Sequence, residues 1–220
     1  MNLSLPQLIA VYAIPVVLAI TLHEAAHAWL AARLGDPTAR LQGRVSANPL
    51  RHVDLVGTLL VPAAILLLGK ALGAGGLLFG WAKPVPVDAS AFRSPRRDLG
   101  LVAAAGPGAN LLMALAWAVM LKVLILMAVR VEFLLLMAQA GILCNLGLAA
   151  LNLLPIPPLD GGRIIASVLP LRAAILWYRL ERFGLLIVLA LLATGLLGAV
   201  ITPTIGFGVD LISWLFNLAD

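Results

Sequence analysis

Residues 5–32 read LPQLIAVYAIPVVLAITLHEAAHAWLAA, and this stretch decides the fold. Its one formally charged side chain is Glu24. A run this long exceeds the ~20 residues that carry an α-helix across the hydrocarbon core of a bilayer. Lipid offers no partner to an open backbone group, so the span is helical. Two more runs, 133–159 and 183–209, carry no formal charge. The whole chain of 220 residues is 62% hydrophobic and 11% charged, with a mean hydropathy of +1.06. A water-soluble domain of this size cannot bury that much apolar surface. The sequence therefore predicts an all-α integral membrane protein, a polytopic helix bundle in the lipid bilayer.

Further spans are expected at about 99–129, 133–154 and 183–200, with a short apolar tail to residue 218. The segment 163–182 spaces Arg163, Arg172, Arg179 and Arg182 among apolar residues, the pattern of an amphipathic interfacial helix. Prolines at 84 and 86 forbid a helix over 79–87 and favour a short extended edge segment. The net charge of +5 is not a nucleic-acid footprint, because the arginines lie in short loops between apolar spans, where they orient the chain. Cys144 is the single cysteine, so no disulfide framework exists. The first span is too long for a signal peptide and has no basic residue before it, so it is expected in the mature protein. We read residues 1–220 as one membrane-embedded domain, with a core at about 5–165 and further helices at about 166–220.

The chemistry starts at His23-Glu24-Ala25-Ala26-His27. On a helix, positions i and i+4 share a face, so both imidazoles reach one metal ion while Glu24 stays free to take a proton from water. The competing reading is a buried polar cluster that ties helices together. Ionisable groups inside a membrane span are costly, which favours function. A catalytic zinc takes three protein ligands and keeps one position open. Asp160 is the best third ligand: it follows 27 uncharged residues and precedes Gly161 and Gly162, which allow close backbone approach. Its competing role is a helix N-cap. His52, the remaining histidine, reads as loop packing ahead of a fourth, inhibitory ligand. Asn110 and Pro107 read as helix-packing residues.

HEAAH in one apolar helix and NLLPIPPLDGG at 152–162 together resemble the site-2 protease family of intramembrane zinc metallopeptidases. AGPGAN at 105–110 is similar to that family's glycine-proline motif. GDPTARLQGRVSANPLRHVD at 35–54 and FGWAKPVPVD at 79–88 resemble its bacterial branch without a PDZ domain. The likeness covers about residues 15–165 and implies the following. His23, His27 and Asp160 hold one Zn2+ between helices, Glu24 is the catalytic glutamate, and Asn152 holds the substrate carbonyl or oxyanion, against a plain interhelical hydrogen bond. None of these five positions departs from the family pattern. Substrates would be transmembrane segments of other membrane proteins, unwound locally before cleavage. A metal transporter or metal sensor with the same ligands is the alternative, and Glu24 argues against it, since a carboxylate there suits a base.

Topology follows from one constraint. HEAAH ends the first span, Asp160 follows the span at 133–154, and one clear crossing lies between. For both to meet one ion, 55–79 must enter the membrane and return as a re-entrant segment. Loops 33–54, 80–98 and 155–182 then lie together and hold 12 of the 15 basic residues. This places them, and the active site, nearer the cytoplasmic face of the cell membrane.

Overall fold

A computed structural model describes residues 4–52, 54, 57 and 83–218. Among these residues the chain is helical and contains no strand. Helix α1 (Leu5–Leu34) ends where Gly35 takes φ 117°, a conformation open to glycine without strain. A short turn, α2 (Thr38–Leu41), follows. Long helix α3 (Pro95–Leu126) starts on a proline, whose missing N–H is unneeded in a first turn. Helix α4 (Glu132–Asn152) returns beside it. Two short helices, α5 (Asp160–Val168) and α6 (Leu171–Arg179), lead to α7 (Gly184–Ala193) and α8 (Leu196–Phe216). Helices α1, α3, α4 and α8 are long and apolar enough to cross a membrane.

Two expected elements differ. The interfacial helix of 163–182 is split, because Pro170 cannot continue α5. The fourth span is not 183–200. Thr194 Oγ1 bonds the carbonyls of Ala190 and Leu191, Gly195 turns to φ 75°, and the crossing helix runs over Leu196–Phe216 instead. Hydropathy alone cannot see that break, since both sides of it are apolar. Apart from residue 57, the re-entrant segment expected at 55–79 lies outside the described residues.

Small residues let the spans approach. Ala114, Ala118 and Ala138 of α3 and α4 are fully buried and cluster with Leu121, Ile142 and Leu146 and with Ile212 of α8. A Cβ on Gly141 would overlap the Trp117 ring. Such contacts replace the hydrophobic effect as the force between helices in lipid. Helices α1 and α3 run antiparallel: Asn110 meets Ala19 and His23, while Val102 meets His27. Phe92 and Val102 pack on Ala31 near the end of α1. The chain thus leaves α1 and enters α3 at the same end of the bundle.

That end carries a tied loop. Asp36 is fully buried. It accepts from Thr38 N at 2.9 Å and Asp88 N at 2.8 Å. Arg44 Nη2 donates to the carbonyls of Lys83 and Pro84, each at 2.9 Å, and Lys83 N donates to His52 O at 2.9 Å. Residues 83–88 form no helix, as their prolines require. This part of the extended segment is paired with the protein's own loop.

Candidate metal centre

Two elements supply the three donors of the centre. His23 and His27 project one turn apart from α1, and Asp160 opens α5. All three side chains are buried. The imidazole Nε2 atoms are 3.0 Å apart. Asp160 Oδ2 lies 3.2 Å from His23 Nε2 and 3.4 Å from His27 Nε2. Among the described residues these three form the group able to hold a metal ion.

Glycines make the convergence possible. Gly106 of α3 faces the rings, and a Cβ there would stand 2.5 Å from His23 Cε1 and 2.6 Å from His23 Nε2. Gly161 and Gly162 let α5 start directly against the preceding turn. A Cβ on Gly161 would meet the carbonyls of Leu153 and Leu154, and one on Gly162 would come within 2.5 Å of Pro157 N. Trp177 Nε1 clamps the same turn from α6, donating to Gly162 O at 2.9 Å.

The far side of each ring is engaged as well. His27 Nδ1 bonds Val102 O at 2.7 Å, and His23 Nδ1 bonds Asn110 Oδ1 at 2.6 Å. A carbonyl only accepts, so His27 Nδ1 carries the proton, and in the neutral ring Nε2 is a bare lone pair. Two imidazole nitrogens and a carboxylate in one buried space need a positive charge among them. Two nitrogens and one oxygen also form the three-ligand set of a catalytic zinc site.

The other expected residues fall as follows. Glu24 is half-buried, one residue beyond His23. Asn152 is half-buried, and its Nδ2 donates to Leu148 O in its own helix at 3.0 Å. His52 is buried and its Nε2 donates to Ser46 O at 2.8 Å, so it packs the loop and is not in the donor group. Asn110 does more than pack helices, because it holds His23. The sequence carried a signal for it: a fully polar amide inside an apolar span demands a partner. Its neighbour Asn145 carried the same signal and lies two turns before Asn152 on one face of α4.

A buried three-donor group set among membrane-spanning helices, next to a glutamate, fits a membrane-embedded metal-dependent hydrolase. Residues 126–195 match the model of Peptidase family M50. The chain is 36% identical over 211 residues to "Putative zinc metalloprotease YwhC" of Bacillus subtilis, covering 93% of this chain and 90% of that protein. It is 29% identical over 210 residues to "Putative zinc metalloprotease Rip2" of Mycolicibacterium smegmatis, covering 92% and 71%. With the Rip2 protein of Mycobacterium tuberculosis it shares 30% over 207 residues, covering 91% and 70%. No solved structure matches. The chain belongs to Peptidase family M50, the site-2 proteases, and is an intramembrane zinc metalloprotease. The transporter reading is not favoured.

Proposed function

We propose that His23, His27 and Asp160 hold the zinc, that Glu24 is the catalytic base and proton carrier, and that Asn152 steadies the substrate carbonyl. Residues 1–220 act as one protease domain whose substrates are transmembrane segments of other membrane proteins. The active site lies toward the cytoplasmic face, where the loops hold most of the basic residues.

The observation that carries this reading is the convergence of Nε2, Nε2 and Oδ2 within 3.4 Å in a buried space. When bound, zinc supplies Lewis-acid polarisation of a carbonyl and a more acidic water. Glu24 accepts the proton of the attacking water and returns it to the leaving amine. Asn152 Nδ2 keeps a second N–H beyond the one given to Leu148 O, which suits it to the oxygen that gains charge. A substrate helix hides its carbonyls in hydrogen bonds, so the cleaved stretch unwinds first.

The test is elemental analysis beside a cleavage assay in nanodiscs. Wild type should hold one zinc per chain. His23→Ala and Asp160→Ala should lose metal and activity together, while Glu24→Gln keeps the metal and loses activity. Full zinc in Asp160→Ala refutes the third ligand, and a fully active Glu24→Gln refutes the base.

A further inference from the structure

His23 does not bond a backbone carbonyl as His27 does. Its Nδ1 reaches Asn110 Oδ1 at 2.6 Å. Asn110 Nδ2 reaches Asn145 Oδ1 at 3.0 Å and Ala19 O at 3.3 Å. Asn145 Nδ2 reaches Gly141 O at 2.8 Å. Both asparagines are fully buried, so neither can exchange a lost partner for water.

This chain can run in one direction only. The carbonyls of Gly141 and Ala19 accept and never donate, so each must face an amide nitrogen. Asn145 therefore turns its nitrogen to Gly141 and its oxygen to Asn110. Asn110 then meets two acceptors with its nitrogen and turns its own oxygen to His23. An oxygen facing Nδ1 requires the proton on Nδ1, which leaves Nε2 bare toward His27 and Asp160. Reversing either amide would place two oxygens face to face at one of the carbonyls.

We propose that Asn110 and Asn145 are positioning residues that fix the tautomer and direction of His23 through this one-way chain. Helix α4 thus acts on the centre twice, through Asn145 on His23 and through the turn that presents Asp160. Asn110 is the principal member, because it touches the ring. Asn145 reinforces it, because Ala19 O still orients the Asn110 amide when Asn145 is gone. The inference rests on the reading of His23 as a zinc ligand, and groups behind a ligating histidine shift metal affinity by roughly 10–100-fold when removed.

The experiment uses the full chain in nanodiscs with zinc affinity read by chelator competition. Asn110→Leu should weaken zinc by roughly 10–100-fold, and Asn145→Leu by less. Asn110→Asp should keep more affinity than Asn110→Leu, because burial favours the neutral acid, whose C=O still accepts from Nδ1 and whose O–H donates to Asn145 Oδ1. A role in helix packing alone predicts equal losses for Leu and Asp, and that result overturns the inference. A second readout stands apart from metal. The 15N spectrum of the histidines in zinc-free protein, at a pH above the imidazole range, should show His23 protonated on Nδ1, assigned by its loss in His23→Gln. Protonation on Nε2 in wild type overturns the inference. Failure of wild type to bind zinc would overturn the ligand assignment instead, and the spectrum would still decide the tautomer.

Discussion

Gly106→Ala puts the centre under a measurable strain. The new Cβ would overlap His27 Nε2 and stand 2.5 and 2.6 Å from His23 Cε1 and Nε2. Ordinary carbon contacts begin near ~3.5 Å, so each ring must retreat by about 1 Å. Neither ring is free to do so, because both are held from α3 itself, by Val102 O at 2.7 Å and Asn110 Oδ1 at 2.6 Å. Metal sites tolerate ligand displacements of only about 0.2 Å, so zinc affinity should fall at least ~10-fold, the lower end of what removing a supporting contact does. Overpacking should also destabilise the fold by about 1–3 kcal/mol. Gly108→Ala is the control. It lies two residues along the same helix, and its Cβ would meet nothing within 4 Å. Intrinsic propensity favours alanine over glycine in a helix by about 1 kcal/mol, so propensity by itself predicts that both variants gain stability. Chelator competition and thermal unfolding of both variants decide between the two. Wild-type zinc affinity and raised stability in Gly106→Ala would refute the close approach of α3 to the imidazoles.

Three further outcomes are expected. Arg44→Met removes the donor shared by the Lys83 and Pro84 carbonyls and should cost about 1–3 kcal/mol, read as faster limited proteolysis within 83–94; an unchanged cleavage rate would show that the tie is dispensable. In a variant lacking Cys144, Ser90→Cys should label from the cytoplasm and Arg130→Cys from outside, and the opposite pattern would reverse the orientation. Glycine or proline placed near the scissile bond of a transmembrane test substrate should speed cleavage, because each lowers helix stability by about 1 and 3 kcal/mol respectively; equal rates for helix-stabilised substrates would count against unwinding.

Composition and charge spacing were enough to declare a membrane helix bundle, because lipid leaves the backbone no other spanning form here. They were also enough for the first three spans, within a few residues. The HEAAH pair was legible because a helix sets positions 23 and 27 on one face by local geometry. Asp160 was legible as a likeness and as a lone acid after a long uncharged run. The break at Thr194–Gly195 was not legible, since side-chain bonds to the helix carbonyls, not hydropathy, ended α7. Nor was the role of Asn110. A sequence shows that a buried amide needs partners, but not which ones. Those partners lie 87, 91 and 35 residues away along the chain. What the sequence determined was local: helix faces, breakers and donor chemistry. What only the tertiary structure decided was the meeting of α1, α3, α4 and the start of α5. That meeting fixes which nitrogen of each histidine is bare, because hydrogen-bond direction depends on the atom opposite, and packing alone selects that atom.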